Sequence, residues 1–176
     1  MGTANRSRAP RVCPIESCPL PEGALLGAYA RTDAYADCYV ADVAGTIACA
    51  RYIEAFYTTP LFKLERLILG FAVSRPSTDA QARQLADAQI DAFAAWRVEA
   101  RTHDQLLMCD LFGNTRSWFM AAPIPAEPTR TRLYFGSAVT ETAMRRPLFG
   151  KLLGLHVRYS KALLSAARRR IESRSR

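Results

Sequence analysis

The feature that most constrains the fold is a long C-terminal segment, LFGKLLGLHVRYSKALLSAARRR (148–170). Its apolar residues recur every three or four positions, which predicts one helix with a broad apolar face and a mostly basic opposite face. The predicted apolar face consists of Phe149, Leu152, Leu153, His156, Ser160, Leu163, Leu164, Ala167 and Ile171. Such a helix must cover that face with other elements, so the chain needs a second layer.

Four segments in which apolar and polar residues alternate predict that second layer as strands with one exposed face. They are AAWRVEART, DQLLMCDLF, TRSWFMAAPI and TRLYFGSAV (131–139). Gly113 and Asn114 can form a two-residue hairpin turn between the second and third segments, which would place Asp110 opposite Ser117. The proline-containing sequence PAEPTR is predicted as a longer loop before the last strand.

A first strand and two or three helices are predicted before this meander. DAYADCYVADV (33–43) alternates as a strand does, Thr59 can cap one helix, and Thr78 with Gln81 has capping-box spacing for another that would extend to about Phe93. We therefore predict an α+β fold. It consists of a curved antiparallel sheet of about five strands packed on the long C-terminal helix, with two or three helices between strand 1 and strand 2.

The length of 176 residues is sufficient for one domain with its own core. We predict an irregular N-terminal arm over residues 1–30, a single domain over 31–172 and a basic tail over 173–176. No run of about 18–20 apolar residues predicts a membrane-spanning helix. The absence of an apolar signal region, the odd number of cysteines and the absence of a CxxC motif lead us to expect a cytoplasmic protein with reduced thiols, no cofactor and no metal.

The formal net charge of +8 is concentrated at the C-terminal end, because residues 145–176 contain ten Lys or Arg and one acid, Glu172. Arg168, Arg169 and Arg170 could make weak contact with an anionic membrane. A solvated helix end is the alternative, since basic residues there also favour the helix dipole. The run contains no interleaved aromatic residues, so we expect no specific nucleic-acid binding.

This order of elements resembles the helix-grip fold of the START-like and Bet v 1-like superfamily (SRPBCC), which includes polyketide cyclases and lipid-transfer domains. The residues that carry the resemblance are DCYVADV, the meander of strands and PLFGKLLGLHVRYSKALLSAARRR, and they cover about residues 33–172. With about five strands the chain is similar to reduced, small bacterial members of that group. The resemblance implies an apolar cavity between the sheet and the C-terminal helix.

Within that cavity we predict binding of an apolar or amphipathic small molecule such as a lipid, a polyketide or an aromatic compound. The expected ligand-binding residues are Phe62, Leu69, Trp96, Arg116, Trp118, Tyr134, Phe149, Leu153, His156 and Ser160. One alternative is an enzyme of the cyclase or hydratase kind, with His156 as acid–base and Arg116 polarising a carbonyl. Another is an interaction or membrane-surface module that uses the basic C-terminal end. Oligomeric state stays open.

Several of these residues have a purely structural alternative. His156 can be a core histidine whose ring is hydrogen-bonded within the protein, because buried polar groups are normally paired. Trp118 can lie in the core with Arg116 at the sheet edge near the hairpin. Gly154 can mark close approach of another element or a tolerated cost in the helix.

The remaining charged residues are expected at the surface. Glu65 and Arg66 follow Phe62 on one predicted helix, and exposed charges are the ordinary case. His103 lies beside Asp104 at a predicted turn between strands, which favours a loop over a catalytic pair.

Overall fold

The computed structural model describes residues 14–31, 35–72, 76–145 and 149–174, and for 68–72 and 149–153 it describes the helical backbone alone. The strands are β1 (Glu16–Ser17), β2 (Tyr35–Ala44), β3 (Ala92–Phe93), β4 (Trp96–Arg101), β5 (Gln105–Asp110), β6 (Thr115–Ile124) and β7 (Glu127–Val139). The helices are α1 (Gly27–Ala30), α2 (Cys49–Tyr57), α3 (Pro60–Ala72), α4 (Asp79–Ala86), α5 (Glu141–Met144) and α6 (Phe149–Ser173).

The strands form one antiparallel sheet in the order β1-β2-β7-β6-β5-β4-β3. The predicted α+β class, with an antiparallel sheet and a C-terminal helix, is confirmed. The prediction of about five strands is wrong, because the sheet has seven in the described part of the chain. The two that were missed, β1 and β3, are edge strands of two residues each, too short for any alternation to show in the sequence.

The N-terminal segment, 14–31, lies against one face of this sheet. Residues 1–30 were predicted as an irregular arm, and the described part of them contains β1, paired with β2, and the short helix α1. Leu26 is fully buried and belongs to an apolar cluster with Trp118 and Leu107. The segment therefore covers what would otherwise be an exposed apolar face of the sheet.

The helices cover the opposite face of the sheet, where the main core lies. Helix α6 packs on α2 and on β2, and α2 also packs on α4 and β6. The pleat of a strand points successive side chains to opposite faces, so Phe119 joins this main core and Trp118 joins the cluster on the other side. Both rings are fully buried, which makes β6 a central strand covered on both faces.

Two predicted helix starts are confirmed. The Thr59 hydroxyl accepts a hydrogen bond from the backbone N–H of Phe62 at 3.2 Å. Thr78 and Gln81 form the expected capping box at the start of α4. That helix ends at Ala86 and does not extend to Phe93, since Ala88 has a positive φ of 57° that a helix cannot accommodate.

The predicted turn between β5 and β6 is wrong in length. Met108, and not Asp110, is the residue opposite Ser117. The carboxylate of Asp110 accepts hydrogen bonds from the backbone N–H groups of Asn114 and Thr115, at 2.9 and 3.1 Å, and these stabilise a wider loop. The predicted PAEPTR loop is also mostly strand, because β7 already begins at Glu127.

Candidate functional site

A cavity of about 210 Å³ lies between the sheet, helix α3 and helix α6. Its aromatic lining comprises Phe56, Tyr57, Phe62, Trp96, Phe119 and Phe135. Its polar lining includes Glu65, Thr115, Ser117, Ser137, His156, Tyr159 and Ser160. The composition, a largely aromatic wall with a few polar groups, is typical of a small-molecule site.

The aromatic wall is held together by ring contacts between two helices and three strands. Phe56 on α2 has its ring centroid 4.8 Å from that of Phe119 and 4.9 Å from that of Phe135. Phe62 on α3 lies 5.8 Å from Trp96 on β4. Aromatic rings at such separations attract each other beyond the burial of their surface. The rings are therefore positioned by one another.

The first polar group of the cavity joins two neighbouring strands to the C-terminal helix. Asp37 on β2 lies directly opposite Ser137 on β7, and its Oδ1 accepts hydrogen bonds from the Ser137 N–H at 3.0 Å and the Ser137 hydroxyl at 2.6 Å. The Ser137 Oγ lies 2.7 Å from Nε2 of His156, and that nitrogen lies 3.6 Å from Oδ2 of Asp37. The pairing register of β2 and β7 thus places Asp37 beside Ser137, and helix α6 adds His156.

Two tyrosines complete the environment of Asp37. The hydroxyls of Tyr35 and Tyr39 each donate to Oδ2 of Asp37 at 3.0 Å. Burial, together with the nearby Asp37 charge, raises the pKa of Tyr35 to about 12 and raises the pKa of Tyr39 as well. Both phenols therefore stay protonated at neutral pH and act as donors to a carboxylate that is only 9% exposed.

The order of these groups limits what they can do chemically. In a serine-nucleophile triad the carboxylate orients the imidazole nitrogen remote from the serine. Here Asp37 approaches the same nitrogen of His156 that contacts Ser137, and the Ser137 hydroxyl donates to Asp37. The arrangement does not activate Ser137 as a nucleophile. It can hold a polar atom of a ligand, because His156 is partly exposed at the cavity wall.

The second polar group is a partly buried carboxyl beside the aromatic rings. The Tyr159 hydroxyl on α6 donates a hydrogen bond to Oε2 of Glu65 on α3. Burial raises the pKa of Glu65, although the hydrogen bond from Tyr159 opposes the shift. Burial and the neighbouring Glu65 also raise the pKa of Tyr159. Glu65 is thus a carboxyl able to carry a proton at a higher pH than usual inside an apolar cavity.

The structure brings five of the predicted ligand-binding residues to one cavity. They are Phe62, Trp96, Arg116, His156 and Ser160. Leu69, Phe149 and Leu153 lie outside the described side chains, so their part in the site is not assigned.

Two predicted site residues have side chains elsewhere. Trp118 and Tyr134 belong to the cluster on the opposite face of the sheet, because their even positions alternate with the cavity-facing Phe119 and Phe135. Arg116 borders the cavity, but its guanidinium lies over the ring of Tyr29, its carbon 4.6 Å from the centroid. Its Nε donates to Glu99 at 3.0 Å. These positions agree with the structural alternative considered from the sequence, in which Trp118 lies in the core and Arg116 lies near the hairpin.

Sequence reasoning missed Asp37, Ser137 and Tyr159 and expected Glu65 to be exposed. A signal existed for Asp37, because alternation within the first predicted strand places it on one face with Tyr35 and Tyr39. No signal pointed to Ser137, since its role depends on strand register. Arg66 was also expected at the surface, yet its side chain is only 10% exposed and hydrogen-bonds Asp79.

The basic end of α6 is partly buried. Arg168 is 4% exposed and faces the core between Leu164 and Ile171, whereas Arg169 is exposed. The weak membrane contact expected through Arg168, Arg169 and Arg170 stays a prediction. Gly154 is exposed, and a Cβ added there would meet no atom of the described residues within 4 Å, so this glycine marks no close approach to the described part of the chain. His103 lies at the turn between β4 and β5, as predicted.

Fold and site together define an α+β domain with an aromatic cavity between an antiparallel sheet and its C-terminal helix. No protein-family model, curated protein or solved structure matches the chain. Within the described residues, no helix has the length and apolar character needed to cross a membrane. The same part of the chain contains no group of three or more His, Cys, Asp or Glu side chains able to hold a metal ion.

Proposed function

We propose that the chain binds an apolar or amphipathic small molecule in the cavity between the sheet and the C-terminal helix. The observation that carries the proposal is the aromatic wall, with Glu65 and His156 as polar groups on its α3 and α6 sides. Aromatic faces hold a ligand by burial and stacking, and a few polar groups fix its orientation. His156, whose side chain is partly exposed, is the polar group on α6 that a ligand can approach.

The size of the cavity narrows the class of ligand. Its volume of about 210 Å³ is below the roughly 300–1,000 Å³ of pockets for drug-sized molecules. It exceeds the approximately 150 Å³ of an engineered cavity that binds benzene. We infer a ligand of one or two rings bearing a hydroxyl or carbonyl group.

The order of elements supports placing the chain among helix-grip domains. The long strand β2 is followed by helices α2, α3 and α4, then by the meander from β3 to β7, and finally by α6. Strand β2 pairs with β7, which brings the start of the domain beside its last strand. A sheet that curves around α6 would then form the ligand cavity. Fold alone does not fix function, so the cavity residues carry the proposal.

A second candidate, an enzyme of the cyclase or hydratase kind, is favoured by the raised pKa of Glu65 in the same cavity as His156. A carboxyl that keeps its proton closer to neutral pH can act as a general acid. The guanidinium of Arg116, for which a carbonyl-polarising role was predicted, contacts Glu99 and the ring of Tyr29. Glu65→Gln should abolish turnover in an enzyme and leave ligand binding in a binding protein.

Native mass spectrometry of the purified chain, followed by organic extraction, tests the binding proposal. We expect a co-purifying compound of one or two rings, and we expect the Ser160→Phe variant, whose new ring would occupy the cavity, to lose it. An empty protein whose thermal midpoint is also unchanged by simple phenols would overturn the proposal. If the compound stays bound to a folded Ser160→Phe variant, the cavity is not its site.

A further inference from the structure

Two cysteines lie side by side where the N-terminal segment meets the sheet. The Sγ atoms of Cys18 and Cys38 are 3.3 Å apart. The backbone N–H of Cys18 donates to the carbonyl of Cys38 at 3.0 Å. The pairing of Glu16 with Val40 and of Ser17 with Tyr39 continues by one step to this pair, so the two cysteines lie opposite each other on antiparallel chains.

This placement meets the geometric needs of a disulfide. Directly opposite, hydrogen-bonded residues on antiparallel strands have Cα atoms about 5.5 Å apart. Disulfides span Cα separations of roughly 4.4–6.8 Å. Rotation of the two side chains can therefore close the gap between the sulfurs without moving the backbone. Cys109 serves as a comparison for this pair, because its Sγ donates a hydrogen bond to a backbone carbonyl, that of Asp110, at 3.2 Å.

We propose that Cys18 and Cys38 form a reversible disulfide that fastens the N-terminal segment, 14–31, to strand β2. The oxidant is a low-molecular-weight disulfide such as oxidised glutathione. The Cys18 thiolate attacks one sulfur of that disulfide, releases one reduced thiol and forms a mixed disulfide. The Cys38 thiolate then attacks the Cys18 sulfur and expels the second thiol. The protein loses two electrons and two protons, and one oxidant disulfide becomes two thiols.

The surroundings of the two sulfurs indicate which thiol reacts first. Cys18 is partly exposed and Cys38 is buried, so an external disulfide reaches Cys18 first. Burial raises the pKa of both thiols, which makes the reaction faster at alkaline pH. The link would hold Leu26 against Trp118, because both belong to the same apolar cluster as Cys38. Reduction would leave that contact to packing, to the β1–β2 ladder and to the hydrogen bonds that join Gln105 to Leu25 and Gly23.

Peptide mapping after equilibration of the full chain in glutathione redox buffers tests the proposal. Cleavage at acidic residues is required, because cuts after Glu16 and Asp42 separate Cys18 from Cys13 and Cys38 from Cys49. Thiols are alkylated before digestion under non-reducing conditions. We expect a Cys18–Cys38 linked peptide, a whole-protein mass lower by about 2 Da, and reversal by excess reduced glutathione.

Matched variants make the outcome decisive. Cys38→Ser and Cys18→Ser should each prevent the linked species, whereas Cys109→Ser should leave it intact. The oxidised protein should also melt roughly 5 °C or more above the reduced one, a difference that Cys38→Ser should remove. A glutathione adduct at Cys18 that never resolves, or a link that uses Cys13 or Cys49 instead, would overturn the proposal.

Discussion

The Oγ atom of Ser137 lies 2.7 Å from Nε2 of His156, so a hydrogen bond joins strand β7 to the long C-terminal helix at the wall of the cavity. The same hydroxyl donates to the carboxylate of Asp37 at 2.6 Å. Helix α6 is thereby tied to the neighbouring strands β2 and β7 through one serine. This group both positions a cavity side chain and contributes to stability.

Replacing Ser137 by alanine should lower the free energy of unfolding by about 1–3 kcal/mol, because Asp37 loses a donor and His156 loses its partner in a poorly hydrated place. Urea denaturation measures the change. Ser117 is the matched control, since it lies directly opposite Ser137 on β6 but outside this group. Ser117→Ala should change stability by less than about 0.5 kcal/mol. Equal losses in the two variants would contradict the assigned role of Ser137.

The side chain of Gln105 should contribute more to stability than that of the exposed Gln84. Its Oε1 accepts hydrogen bonds from the Trp118 indole at 2.8 Å and from the Leu25 N–H at 3.0 Å, and its amide donates to Gly23. Gln105→Leu leaves these groups unpaired and should cost about 2–4 kcal/mol in chemical denaturation. Gln84→Leu, at an exposed position of α4, should be nearly neutral. A neutral Gln105→Leu would show that the N-terminal segment is not fastened at this point.

Two glycine-to-alanine substitutions should change the stability of the protein in opposite directions. A Cβ at Gly136 would lie 2.9 Å from the Asp37 carbonyl oxygen and 3.0 Å from the Trp118 ring, so Gly136→Ala should destabilise the protein by about 1–3 kcal/mol. A Cβ at Gly154 would meet no atom of the described residues within 4 Å, and Gly154→Ala should stabilise helix α6 by about 1 kcal/mol. Thermal denaturation of both variants measures the pair. A stabilising Gly136→Ala would disprove the close approach of these strands.

Glu65 should make stability fall as pH rises above its ordinary pKa of 4.5. Burial raises the pKa of Glu65 in the folded protein, so the folded state holds this proton to a higher pH than the unfolded state does. Glu65→Gln should therefore be more stable than the parent protein near pH 7, and the gain should shrink toward pH 4. Urea denaturation across this range measures it. Glu127→Gln, at an exposed strand end, should show no such trend, and a pH-independent effect of Glu65→Gln would contradict the assignment.

Helices and strands whose apolar residues recur at a regular spacing could be predicted from the sequence, because burial of one face imposes that spacing. The long helix α6, the capping box at Thr78 and the long strands all have such local signals. The edge strands β1 and β3 could not be found, since two residues define no alternation. The loop after Asp110 was also missed, because its width depends on a carboxylate that gathers backbone N–H groups.

The site could be predicted only in part, for a related reason. Residues on α6 and α3, such as His156 and Phe62, were identified because a helix face is defined by spacing alone. On the strands, the face that a residue joins depends on which neighbours pack there, and Trp118 was assigned to the wrong one. Ser137 and Asp37 meet through strand register, which a single sequence does not contain.

Isothermal titration calorimetry with p-cresol tests the central claim most directly, because one ring with one hydroxyl matches both the volume and the polarity of the cavity. The Ser160→Phe variant should bind p-cresol at least about tenfold more weakly than the parent protein, a loss of about 1.4 kcal/mol. Ser173→Phe introduces the same ring at an exposed position of the same helix and should bind as the parent does. Saturable binding to the parent and to Ser173→Phe, but not to a folded Ser160→Phe, is the predicted result. No binding to the parent, or equal binding to all three proteins, would contradict a ligand site between the sheet and the C-terminal helix.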